Sequence, residues 1–221
     1  MNGLVVNLCF HGIGVPPRDT PSDESPYWIS QDAFRRTLDV VDGRSDVRLS
    51  FDDGNASDIE VALPELRDRG LAASFFVLAG RLDEAGSLGP DDVRTLRDAG
   101  MTVGSHGLRH LPWRGMSDAD LHAELVVARA QLASVAERSI DEAACPLGRY
   151  DRKVLGALRR AGYATVYTSD RALARQRSWL QARFTVRAGD GVEDVEAVLA
   201  HRGRYLTRAQ DALRIRAKTL R

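Results

Sequence analysis

Apolar runs and amphipathic stripes alternate along this chain. Leu4–Phe10 is a continuous run of strand character. A polar stretch over 12–30, carrying Pro16, Pro17, Pro21 and Pro26, reads as loop. Phe34, Leu38 and Val41 recur at three- and four-residue spacing, which predicts a helix over 31–42. A strand follows at 47–51, then a helix over 57–69 ended by Gly70. The next strand is 72–78, the next helix 90–99, stopped by Gly100, and the next strand 101–104. A long helix over 117–137 starts at Ser117 as N-cap. Beyond it the pattern predicts strands at 143–145, 164–168 and 184–186, and helices over 152–161, 192–200 and 207–220.

A β-α alternation with turns of ordinary length predicts parallel strands covered by helices, closed as a barrel or open as a sheet. The expected organisation is one domain over 1–203 and a basic helical tail over 204–221, read as a solvated face. The 221 residues accommodate a short α/β barrel. The 31 basic and 31 acidic residues cancel, so no whole-chain field favours nucleic acid. Cys9 and Cys145 are far apart in apolar contexts and read as buried free thiols. The first apolar run is short and lacks a basic flank, and no run approaches the ~18 residues of a membrane span. The expectation is a cytoplasmic protein without a transmembrane segment; the oligomeric state is left open.

Two predicted strand ends carry chemistry. Ser50-Phe51-Asp52-Asp53-Gly54 closes one strand, and His106-Gly107-Leu108-Arg109-His110 closes another. In parallel α/β folds the C-terminal strand ends are where sites assemble. Histidines four apart in one helical turn share a face, and one carboxylate of the Asp pair completes a two-His-one-carboxylate set. The other carboxylate is then free to take a proton from water. Gly107 excludes the HExxH pattern of zinc proteases.

Those residues resemble the first two motifs of the polysaccharide deacetylases, the NodB-homology domain or carbohydrate esterase family 4. The first family motif is Thr/Ser-Phe-Asp-Asp-Gly and the second His-Ser/Thr-x-x-His. Ala73-Ser74-Phe75-Phe76-Val77 and the segment 96–104 are also family-like, and the resemblance extends over roughly 4–200. It implies a distorted (β/α) barrel of about seven parallel strands that removes acyl groups, usually acetyl, from sugar amides. It implies Asp53, His106 and His110 as ligands of one divalent metal ion, commonly Zn, with Co, Ni or Mn as alternatives, and Asp52 as general base.

This chain departs from the family at three places. Gly107 stands where Ser or Thr is usual, so a looser loop is expected. The third motif, usually Arg-Pro-Pro-Tyr/Phe-Gly, reads Ala144-Cys145-Pro146-Leu147-Gly148. It lacks the arginine that orients the base, and Arg149 is the nearby candidate to replace it. Leu147 replaces the cleft aromatic, and Tyr150 is the candidate aromatic wall. Leu199-Ala200-His201 matches the late motif whose histidine protonates the leaving amine, although it ends a predicted helix. His11, ending the first strand, is a second catalytic candidate. Trp113 is a candidate cleft wall and Arg109 a candidate contact for an anionic substrate group; Trp179 lines the cleft or packs in the core. The expected substrate is an acylated sugar in a biosynthetic intermediate or glycan precursor. The rival readings are a hydrolase of a non-sugar C–N bond and an inactive carbohydrate-binding homologue.

Overall fold

The structure, a computed structural model, describes residues 3–17, 20–22, 24–200, 213 and 215–220. His201 and most of the predicted tail lie outside the described residues. Nine strands form one sheet: β1 (Leu4–Phe10), β2 (Val47–Asp53), β3 (Ala73–Val77), β4 (Thr102–Ser105), β5 (Glu142–Ala144), β6 (Thr165–Thr168), β7 (Ala174–Arg175), β8 (Leu180–Ala182) and β9 (Phe184–Thr185). Strands β1 to β6 pair in parallel in chain order. The segment 180–185 closes the barrel: β8 pairs in parallel with β6, and β9 in parallel with β1. Only β7 is antiparallel, against the start of β1. The fold is therefore the distorted (β/α) barrel that the resemblance implies, and the closed one of the two arrangements the alternation left open.

Helices cover the outside. They are α1 (Gln31–Val41), α2 (Leu63–Asp68), α3 (Pro90–Asp98), α4 (Asp118–His122), α5 (Ala128–Ala136), α6 (Arg152–Arg160) and α7 (Val192–Ala200). Side-chain caps start three of them: Ser30 accepts from Ala33 N, Ser117 from Asp120 N, and Asp151 from Val154 N. The predicted helix over 117–137 is continuous but holds one turn with i→i+5 hydrogen bonding at Ala123–Val127. A similar turn at Asp58–Ala62 precedes α2. No described helix is long and apolar enough to cross a membrane.

The hydrophobic core lies between barrel and helices. Phe51 stacks on Phe75 at 4.6 Å and on Phe10 at 5.3 Å, and Phe34 of α1 closes edge-on against Phe10 and Phe51. The strand alternation puts the other set of side chains inside the barrel. There Asn7, Cys9, Ser50, Asp52, Gln181 and Arg183 are buried around Phe76, Ala144 and Tyr167. A Cβ at Gly104 would stand 2.5 Å from the Phe76 ring, so β4 needs glycine to let that ring fill the interior. Cys9 and Cys145 are free and buried, as expected, and burial pushes both thiols well above their ordinary pKa, which keeps them protonated and unreactive.

Candidate active site at the C-terminal end of the barrel

Asp52 is the inward residue of β2, so strict alternation would send Asp53 to the helix side. It does not go there, because Asp53 has φ of 79°. That left-handed turn brings two adjacent carboxylates to one cleft, a strained conformation of the kind that concentrates at functional sites. His106 follows β4 directly. His110, four residues on, also has positive φ, 56°.

Asp53 Oδ1 lies 3.5 Å from His106 Nε2 and 3.4 Å from His110 Nε2. It is buried and has no hydrogen-bond partner among the described residues. Each histidine is held by its other nitrogen. His106 Nδ1 donates to the Ala144 carbonyl at 2.9 Å, and His110 Nδ1 donates to Glu24 Oε1 at 3.0 Å. Those bonds assign the Nδ1–H tautomer and turn both Nε2 lone pairs toward Asp53. Burial lowers the His106 pKa to about 4 against the pull of Asp52 and Asp53, so its ring is neutral at pH 7. At His110 burial acts downward too, but Glu24 and Asp53 outweigh it and the pKa is raised. A buried orphan carboxylate oxygen facing two oriented imidazoles fits a divalent cation.

Asp52 sits beside this set, its Oδ2 3.8 Å from His106 Nε2. Arg183 donates to both of its oxygens at 2.6 Å from the barrel seam between β8 and β9. Both side chains are buried. Burial pushes the Asp52 carboxyl up, but Arg183 and then His106 outweigh it, and the pKa is lowered. Arg183 also bonds Ser50 Oγ and lies over the Phe76 and Tyr167 rings. His11 extends the site from the end of β1. It stacks on Tyr27 at 4.9 Å, and its Nδ1 has no hydrogen-bond partner among the described residues. One ligand atom each from Cys9, His11 and Asp52 lies within 4.8 Å of the others.

A cleft of about 360 Å³ opens over these groups, lined also by Glu24, Leu147, Arg149, Ser169, Arg171, Thr185 and Arg187. A family model for polysaccharide deacetylase matches residues 39–166, more than half of the chain. The chain belongs to the polysaccharide deacetylase family. YxkH of Bacillus subtilis, named for the same family, is 22% identical over 156 residues, 71% of this chain and 56% of YxkH. The chain thus spans about half the length of that curated relative. The deacetylase PplD of Streptococcus pyogenes, solved in complex with acetate, superposes with a TM-score of 0.79 at 18% identity, covering 90% of this chain and 99% of PplD. IcaB of Ammonifex degensii gives 0.70 at 22% identity, over 89% and 97%. At these identities the likeness is one of fold.

Within this family setting the structure brings Asp52, Asp53, His106, His110, His11, Leu147 and Arg149 into one cleft. Four expectations are corrected, and the open reading of Trp179 is resolved. Trp113 is fully buried against Gly107 and is no cleft wall. Tyr150 is buried and donates to Asp170 at 2.7 Å, so the core claims its ring and hydroxyl. Arg109 is engaged by Glu124 at 3.0 Å and Asp120 at 3.4 Å and does not line the cleft. Arg149 lines the cleft, but the arginine on Asp52 is Arg183. Trp179 donates to the Tyr163 carbonyl under Arg159 and lines no part of the cleft.

The loop after His106 is braced, contrary to expectation. Glu124 is fully buried and accepts from Leu108 N at 2.7 Å and from Arg109 N and Nε. A Cβ at position 107 would lie 2.5 Å from Glu124 Oε2 and 3.0 Å from Trp113 Nε1, and φ there is 86°. Glycine at 107 is thus the counterpart of the Glu124 brace.

Arg183 was the residue hidden from sequence reasoning. A signal existed: Leu180, Ala182, Phe184 and Val186 alternate with Gln181, Arg183 and Thr185. Alternation usually marks a strand with its polar face in water. Here the polar face is the buried interior of the barrel.

Proposed function

We propose that this chain is a metal-dependent deacylase that hydrolyses the N-acetyl, or a related N-acyl, group of a sugar-containing biosynthetic intermediate. The observation that carries the reading is the convergence of Asp53 Oδ1, His106 Nε2 and His110 Nε2 beside Asp52 in one cleft. Asp53, His106 and His110 would hold the ion. When bound, a divalent cation, zinc foremost, supplies Lewis acidity toward the acyl carbonyl and makes water more acidic.

The chain's own groups supply the proton chemistry. Asp52 takes the proton as water adds to the acyl carbon. Arg183 fixes the orientation of that carboxylate and keeps it ionised, at the expense of some basicity. His11, on the cleft wall near Asp52, donates the proton to the nitrogen as the C–N bond breaks. His201, the late-motif candidate, lies outside the described residues. The Asp52 carboxylate, held beside the candidate ion site and not among its three ligands, favours turnover over a binding-only homologue, since only turnover needs a base there.

Calorimetric titration of metal-free protein with zinc tests the reading. One tight site per chain is expected, absent from the His106→Ala/His110→Ala variant. Failure of the wild type to bind zinc, cobalt, nickel or manganese would overturn it.

A further inference from the structure

Three arginines line the cleft and none forms an ion pair among the described residues: Arg149, Arg171 and Arg187. Many, though not all, of the described arginines elsewhere on this molecule are paired. Arg35, Arg69, Arg81, Arg94, Arg97 and Arg109 all meet carboxylates. The carboxylates of the cleft are already committed. Asp52 belongs to Arg183, Glu24 to Arg81 and His110, and Asp53 to the ligand set.

Topology places the three together. Arg149 follows β5, Arg171 follows β6 and Arg187 follows β9, successive staves around the barrel. The ligand set comes from β2 and the loop after β4, so acid and imidazole occupy one arc and guanidinium the other. Two of the three are tethered at the wall. Arg171 donates to the Thr185 carbonyl at 3.4 Å, and Arg187 lies over the Tyr27 ring at 5.2 Å. Among the lining residues the three arginines balance Glu24, Asp52 and Asp53, so a bound divalent ion would leave the cleft net positive.

We propose that the sugar substrate carries a phosphoryl or diphosphoryl group, gripped by Arg149, Arg171 and Arg187 while its N-acyl group reaches Asp52. A guanidinium fork matches phosphate oxygens bidentately. A single carboxylate satisfies one such fork, whereas three forks in one cleft match the charge and oxygen count of phosphate. The proposal rests on the deacylase reading for the reaction and adds the substrate class. The same phosphate chemistry is offered by a free glycosyl phosphate and by a sugar on a lipid diphosphate carrier.

The test is calorimetry on the metal-loaded protein with N-acetylglucosamine 1-phosphate, a short-prenyl diphosphate N-acetylglucosamine and the neutral methyl glycoside. The triple variant Arg149→Met/Arg171→Met/Arg187→Met runs in parallel, with the same metal present, so direct coordination of phosphate is common to both. At least tenfold tighter binding of a phosphorylated sugar than of the neutral one is expected, with the margin lost in the variant. Tighter binding of the prenyl compound would assign the lipid-carried form, and tighter binding of the monophosphate the free form. Equal affinity for the neutral glycoside, or a phosphate preference that survives in the variant, would overturn the proposal. Acetate release is scored separately. Arginine-dependent binding without acetate release contradicts the deacylase reading alone; release from the neutral glycoside at the same rate contradicts the phosphate proposal alone.

Discussion

Position 107 has no room for a side chain, and that one constraint explains a departure from the family motif. The Glu124 carboxylate occupies the space a serine would enter. Gly107→Ser should therefore destabilise the protein by about 1–3 kcal/mol through clash and a left-handed φ, read as a lowered Tm; an unchanged Tm would show that Glu124 moves aside freely. Arg183 poses a sharper case. Arg183→Met leaves Asp52 buried and unpaired, at a cost of about 3–5 kcal/mol. Arg183→Lys should fail to restore activity, because a single ammonium cannot reproduce the planar fork in which two nitrogens each hold one carboxylate oxygen. Glu24 orients His110 from outside the ligand set. Glu24→Gln should weaken zinc binding roughly 10–100-fold with the ligands intact, measured by competition with a chromophoric chelator. Its folded pKa is lowered to about 2, first by the His110 hydrogen bond, then by Arg81 against the effect of burial. A depressed carboxylate stabilises the fold above its unfolded pKa of about 4.3. That stability should fade as pH falls toward about 2, and the Glu24→Gln variant should lack this part of the acid dependence. The motif residues were legible in the sequence because they stand side by side within two short segments. Arg183 was not, because its partner Asp52 is 131 residues away.

The elements differ in how plainly they announce themselves. Strands β1 to β6 were each anticipated close to their observed bounds, and Gly70 and Gly100 marked the ends of α2 and α3. Strands β7 and β8 were missed: they contain two and three residues, too few for periodicity to accumulate. Yet β8 and β9 form the seam that closes the barrel, and the pair Arg183–Asp52 ties that seam to β2. Amide exchange should report this link. In Arg183→Met, exchange over 180–186 should speed up well before exchange in β1 to β3; uniform acceleration would mean that the arginine stabilises the barrel as a whole and not its seam.

At the scale of the molecule the barrel separates two interiors, an apolar shell under the helices and a polar lumen that ends in the cleft. Hydrophobic patterning revealed the shell. It could not reveal that the polar residues of the same strands point inward, since polar alternation ordinarily faces water. Metal should couple to the stability of this whole, because the ligands come from separate strands. Zinc at 1,000 times its Kd should add about 4 kcal/mol, so chelation should lower Tm measurably. The central claim is that Asp52 is the base of a deacylase whose ion is held by Asp53, His106 and His110. Its most direct test is the rate of acetate release from N-acetylated sugar phosphates by wild type and Asp52→Asn at equal, measured zinc occupancy. The account predicts a loss of roughly 10²–10⁴ in rate for the variant. Equal rates at equal occupancy would contradict it.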